Sequence, residues 1–428
     1  MRMFCHGYQS WSESAWRTVG VDEDPSRTPG AIRAMIDAHS GDPAPAAPGE
    51  LRSHLVTLFD DDPTVQAGPG LLRYADGELL GATATFDSLE HWARSQQGRT
   101  GAAFQVGWCS WYQFFDSVTE DDIRRNLALA DAWPFDVFQI DDGYQRAIGD
   151  WLEPNEKFPS SLERLAADIA TTGRRPGLWL APFLVAPDSE VATGHPQWCA
   201  RDERGDPLVG MVNRHWGGAV YVLDTTRPEV LAHLEHLARH LVDEGFTYLK
   251  LDFTYAPGLA GHYADTAASA SARVRAGYEA IRRGAGEHAF LLGCGAPLGP
   301  AIGLVDGMRI GPDVAPWWEA KAGRRSLAGY EATIPSTANA LRAVRARQFM
   351  HRRLWLNDPD CVMLRTTDTA LTVGEVRRWA TAVGDSGGMV LVSDDLALLG
   401  QDARSLLDEV IARGREADGR AASLSSPS

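Results

Sequence analysis

Lysine is nearly absent from this chain. Among its 428 residues only Lys157, Lys250 and Lys321 are lysines, and 41 Lys+Arg stand against 57 Asp+Glu, a formal net charge of −16. That sign excludes a nucleic-acid partner, which needs a basic face, and argues against adsorption to anionic lipid. Cysteine is scarce: Cys5, Cys109, Cys199, Cys294 and Cys361 are odd in number and widely spaced, with no CxxC. A disulfide framework and a thiolate zinc site are therefore not expected. The 12 histidines form no HExxH or HxH, so no metal is expected. No G-x-G-x-x-G follows a strand-like run, and no nucleotide cofactor is expected. No stretch approaches the ~18 consecutive apolar residues of a membrane span. The start, MRMFCHGYQSWSESAW, lacks the apolar stretch of a signal peptide. A soluble, cytoplasmic protein with no membrane partner is the expectation.

The chain is 44% apolar and 9% aromatic, enough for a large core. Residues 1–100 are broken by DEDPSRTPG (22–30), GDPAPAAPGE (41–50) and DDDPTVQAGPG (60–70), with short β-like runs between them. From 414 to 428 the sequence ends in GRAASLSSPS and reads as a disordered tail. Between these lies one rhythm over 101–413: an apolar, β-rich run, then a helix-like stretch, repeated. The runs are Phe104–Trp108, Phe135–Ile140, Pro176–Leu180, Tyr248–Leu251, Phe290–Leu292, Gly307–Ile310, Leu354–Leu356 and Met389–Val392, and the helix-like stretches include Thr119–Ala132, Ser160–Thr171, Tyr263–Arg283, Ser326–Arg347 and Val373–Val383. Eight such units over ~310 residues predict a closed (β/α)8 TIM barrel preceded by a β-rich segment.

Function in such a barrel collects where the strands end. There the runs supply Cys109-Ser110-Trp111-Tyr112, Asp141-Asp142-Gly143, Trp179, Lys250-Leu251-Asp252, Cys294, Arg309 to Asp313, Asp358-Pro359-Asp360 and Asp394-Asp395. Aromatic faces interleaved with carboxylates describe a sugar pocket: the C–H faces of a pyranose stack on Trp and its hydroxyls donate to carboxylates.

Strand alternation makes the pocket specific. Lys250 and Asp252 are two apart and point to the same side. A lysine inside a barrel is costly unless paired or functional. Lys250 is read as the partner that keeps Asp252 ionised; the same pair could simply tie the barrel together. Gly311-Pro312 lifts Asp313 onto a loop with Val314, Pro316, Trp317 and Trp318, an apolar setting that raises a carboxyl pKa. The two contrasting carboxylates suit glycoside hydrolysis with retention. Asp252 attacks the anomeric carbon; Asp313 protonates the leaving oxygen and later deprotonates water. Asp141 and Asp142 take hydroxyls of the non-reducing sugar, or form an Asx turn before Gly143. Trp179 reads as core or as a sugar wall, and Cys294 as a packed small residue or as a pocket wall.

The segments GWCSWYQFF (107–115), QIDDGYQ (139–145), LWLAPF (178–183), YLKLDF (248–253) and RIGPDV (309–314) resemble the α-galactosidases of glycoside hydrolase family 36, in order and approximate spacing. The resemblance implies a retaining exo-α-galactosidase acting on α-galactoside oligosaccharides, with Asp252 as nucleophile and Asp313 as acid/base. It implies sugar contacts from Trp111, Tyr112, Asp141, Asp142, Trp179, Lys250, Cys294 and Arg309, with Arg214 a weaker carry-over. GYQSWS (7–12) resembles a segment of the family's N-terminal β-sandwich and offers Trp11 as a residue reaching over the barrel mouth, or as a plain strand residue. Against that pattern, residues 1–100 are expected to be a remnant of the sandwich, and the C-terminal β domain to be missing. An α-galactosyl transglycosidase and an inactive sugar-binding remnant remain the alternatives.

Overall fold

The computed structural model describes residues 1–5, 14–22, 49–53, 56–62, 64–67, 72–81, 84–320 and 334–425. Its centre is an eight-stranded parallel sheet curled into a barrel, with strands Val106–Cys109, Val137–Ile140, Arg175–Leu180, Tyr248–Leu251, Phe290–Gly293, Gly307–Arg309, Leu356–Asp358 and Val390–Val392. The eighth strand pairs with the first, Val390 opposite Val106. The seventh and eighth are joined more sparingly, by Met389 N–H to the Asn357 carbonyl at 2.9 Å and by Val362, whose N–H reaches the Leu391 carbonyl at 2.7 Å. The strands are buried along their whole length, apart from the half-buried Arg175 that opens the third. That is why they read as unbroken apolar runs in the sequence.

Helices cover the barrel's outside, started by local sequence. Thr119 and Asp122 form a capping box for Glu120–Leu129, Ser161 caps Leu162–Thr171, and Thr372 with Glu375 caps Val373–Ser386. Leu162, Leu165, Ala166 and Ile169 bury one face of their helix, the spacing of a helix lying on a sheet. Two expected elements begin later. The helix anticipated from Tyr263 starts at Ala270, because Asp224 holds the Ala264 N–H at 2.8 Å in a loop. The seventh run is displaced to Leu356–Asp358, behind a turn with Arg352 at φ 58°. Of the stretch expected to form a helix from Ser326, residues 321–333 lie outside the described residues, and the helix runs Thr337–Arg347.

The β-rich segment precedes the barrel as expected. Strands Ala15–Thr18, Arg2–Cys5, Val56–Phe59, Val65–Ala67 and Ala84–Phe86 form an antiparallel sheet in that order; Leu51–Ser53, Leu72–Ala75 and Glu78–Leu80 form a smaller one. Alternation splits the first strand: Met3 and Cys5 pack with Leu51 and Phe59, while Phe4 joins the large core shared with the barrel.

The tail expected to be disordered from 414 is a correction: one helix runs Gln401–Ser425. Its polar, small-residue composition misleads because the anchor is non-local. Asp418 receives Arg352 Nε at 2.6 Å and Nη2 at 2.8 Å, and lies 2.9 Å from His351 Nε2. Those hydrogen bonds outweigh the burial that would raise its pKa and hold Asp418 at about 2.

Candidate active site

The carboxylates gathered at the strand ends are separated by cations and indoles into three stations. At the first, Lys250 donates to Asp141 Oδ2 at 2.8 Å, with both side chains buried. The expected Lys250–Asp252 pairing is thereby corrected. Lys250 leaves the fourth strand inside the barrel and meets the residue that ends the second. Against burial, which alone would lower it, Asp141 keeps the Lys250 ammonium well above its usual pKa. Gln139 Nε2 also donates to Asp141, at 2.5 Å, and the Ser110 hydroxyl accepts the Asp141 N–H.

Asp252 forms the second station, one residue beyond its strand. Trp179 Nε1 donates to its Oδ2 at 3.2 Å, and the Phe253 N–H donates to Oδ1 at 2.7 Å. Two neutral donors orient the carboxylate by its two oxygens. Gly295, at φ 53°, closes against it: a Cβ there would lie 2.8 Å from Asp252 Oδ1 and 2.6 Å from the Phe253 nitrogen, so only glycine fits. Trp179 is a buried residue whose indole N–H faces Asp252. Cys294 is fully packed beside this station, where burial pushes its thiol well up.

The third station is built on Arg309. Its guanidinium reaches Asp358 at 2.9 Å, Asp360 at 2.9 Å and Asp313 at 3.2 Å. Tyr112 donates its hydroxyl to Asp360, so Tyr112 braces the Arg309 cage. The Asp313 side chain is 49% exposed. Protein atoms crowd it from the other sides. That desolvation, with Asp360 and Asp252 close by and Arg309 opposing, raises its pKa to about 6. The upward direction was expected, but its sources include neighbouring carboxylates as well as apolar flanks. Trp317 and Trp318 are occupied elsewhere: the Trp317 indole donates to the Pro335 carbonyl at 3.1 Å and Arg378 lies over Trp318.

Asp142 lies at the far edge. It accepts Gln145 Nε2 at 2.7 Å and Trp216 Nε1 at 2.8 Å. Burial raises its pKa to about 6 against those two donors. Gly143, at φ 120°, permits the turn that turns Asp141 and Asp142 to different partners; a Cβ there would sit 2.9 Å from the Asp116 carbonyl.

Arg214 is exposed at the tip of a hairpin, Val209–Asn213 with Gly218–Val222. Its neighbour Trp216 makes the pocket contact, packing 6.0 Å from Trp179 and 5.1 Å from Phe253 between ring centres. Sequence reasoning missed Trp216, since its hairpin interrupts the strand–helix rhythm; the one cue was an aromatic followed by Gly217-Gly218. Trp11 lies outside the described residues. Trp111 is half-buried beside Phe115, their rings 5.3 Å apart. Asp358 and Asp360 were visible as rim carboxylates but had no assigned role.

Among the described residues no cluster of three or more His, Cys, Asp or Glu is arranged to hold a metal ion, and no helix is long and apolar enough to cross a membrane. Carboxylates of unequal environment beside indoles on the C-terminal rim of a barrel are an arrangement compatible with glycoside hydrolysis. Residues 106–271 match the Melibiase family model. The whole chain is similar to TtGalA, the α-galactosidase of Thermus thermophilus solved in complex with stachyose: 35% identity over 96% of this chain and 90% of that one, TM-score 0.80. The chain belongs to this family, the melibiase-type α-galactosidases of glycoside hydrolase family 36. The curated α-galactosidase AgaA of Geobacillus stearothermophilus is 26% identical over 203 residues, 46% of this chain and 27% of that protein. For the Escherichia coli α-galactosidase the identity is 27% over 178 residues, 38% and 23% respectively. The matched region therefore spans about a quarter of each of these two curated relatives.

Proposed function

We propose that the chain is a retaining exo-α-galactosidase, with Asp252 as nucleophile and Asp313 as acid/base. The observation that carries this reading is the contrast between the two aspartates: Asp252 held by two N–H donors, Asp313 raised to about 6. An oligosaccharide with a terminal α-galactose is the substrate, by likeness to TtGalA, which was solved with stachyose.

In the first step Asp252 attacks the anomeric carbon from the β face while Asp313 delivers its proton to the departing oxygen, giving a β-galactosyl ester on Asp252. Forming that ester removes the negative charge on Asp252, one of the influences that raise the Asp313 pKa. The Asp313 pKa therefore falls, and Asp313 stands ionised as the base that the second step requires. It takes a proton from water, which attacks the α face and releases α-galactose and free Asp252. Lys250 holds Asp141, and Trp216 holds Asp142, oriented toward the hydroxyls remote from the anomeric carbon.

Hydrolysis of p-nitrophenyl α-galactoside followed by NMR tests the proposal. First-formed α-galactose with water as acceptor is expected. First-formed β-galactose would overturn retention, and galactose transferred only to a second sugar would make the chain a transglycosidase.

A further inference from the structure

A second cavity of about 360 Å³ adjoins the sugar site, lined in part by Asp116, Asn155, Lys157, Asp188 and His215. It shares Asp142 and Trp216 with the site; Asp141, Trp179, Lys250, Asp252, Arg309 and Asp313 are not in its lining. The hydrogen bond from Trp216 to Asp142 is thus a partition between two spaces. Nothing covalent closes it. The indole is carried by the turn Arg214–Trp216, followed by Gly217 in left-handed conformation at φ 80°.

That turn is fastened to the barrel. His215 Nδ1 lies 2.9 Å from Asp116 Oδ2. Asp116 is itself fixed, since Lys157 donates to its carbonyl and Gly143 packs against its backbone. At the other end of the hairpin Tyr255 donates to the Gly210 carbonyl at 3.1 Å. His215 is 72% exposed, so its pairing serves the position of the turn rather than a packed core.

We propose that Trp216, positioned by the His215–Asp116 tie, is the specificity-determining wall that makes the site exo-acting: it excludes substituents on the hydroxyls that face Asp142. Removing it joins the sugar site to a space large enough to accept them. The proposal rests on the α-galactosidase reading, which places the hydroxyls remote from the anomeric carbon at Asp141 and Asp142.

The test compares kcat/KM for p-nitrophenyl α-galactoside with that for its 6-O-methyl and 4-O-methyl ethers. The wild-type enzyme is expected to reject at least one ether. Trp216→Ala should lower that discrimination by at least ~10-fold, the scale on which a pocket wall acts, whatever it does to the parent substrate. His215→Ala, at an exposed position, should lower it in the same direction by a smaller factor, through KM more than kcat. A wild-type enzyme indifferent to both ethers, or discrimination unchanged in both variants, overturns the inference. Should the wild type fail to cleave the parent substrate, the α-galactosidase reading falls. The partition is then judged by fluorescence titration with galactose and the two methyl galactoses, where the same loss of discrimination supports it and unchanged ratios overturn it.

Discussion

Trp179 donates its indole N–H to the outer oxygen of Asp252 at 3.2 Å, so a residue on the third barrel strand sets the orientation of a carboxylate that follows the fourth. A hydrogen bond to a charged group contributes about 1.5–3 kcal/mol. Trp179→Phe should therefore lower kcat/KM on an aryl α-galactoside by roughly 10- to 100-fold, with the fold unchanged by circular dichroism. Wild-type kinetics in that variant would remove Trp179 from the mechanism.

The two aspartates separate by chemical rescue. Asp252→Gly should be inactive and regain turnover with azide, yielding β-galactosyl azide, because azide enters from the face the carboxylate vacated. Asp313→Ala should spare substrates with good leaving groups, and azide should give the α-azide from the galactosyl-enzyme. Product anomers read by NMR decide; exchanged stereochemistry would exchange the roles.

The pH profile follows from two carboxyls raised to about 6 with opposite requirements. Asp313 must be protonated for the first step, so kcat/KM falls as pH rises through about 6. Asp142 serves as an ionised acceptor, so binding weakens as pH falls through about 6. A narrow maximum near 6 is expected. Asp142→Asn should flatten the acid limb, and Asp313→Ala the alkaline limb on substrates with good leaving groups. A profile flat from 5 to 8 would contradict both assignments.

Stability should also depend on acid. Asp418 is held at about 2 in the fold against an ordinary 3.8. Its contribution is complete above about 4 and is lost as pH falls toward 2, on the order of 2 kcal/mol. Asp418→Asn should lower the melting temperature at pH 7 and have much less effect at pH 2.5. Equal destabilisation at both would show that packing of the C-terminal helix, rather than the charge, is what matters.

The barrel was legible because parallel strands buried on both faces leave continuous apolar runs, and because Lys250-Leu251-Asp252 and Arg309 to Asp313 fall where such runs end. What escaped depends on closure. Lys250 finds Asp141, 109 residues away, only when the second and fourth strands share one interior. Arg309 finds Asp358 only when the sixth and seventh lie side by side. Trp216 rides a hairpin outside the repeating rhythm, and the helix beyond residue 414 is held by Asp418 contacts with residues 66 and 67 positions earlier. No local periodicity carries such information.

The sparing junction between the seventh and eighth strands ties assembly of the site to completion of the fold. Val362, which stitches that junction, lies two residues beyond Asp360 in the same connection, so fastening the barrel also delivers a carboxylate to Arg309. A partly wound chain would hold Arg309 without its full set of counter-charges, and its mouth would be electrostatically unlike the finished one. The charge balance at the mouth is in this way a property of the closed barrel, not of any one strand or loop within it.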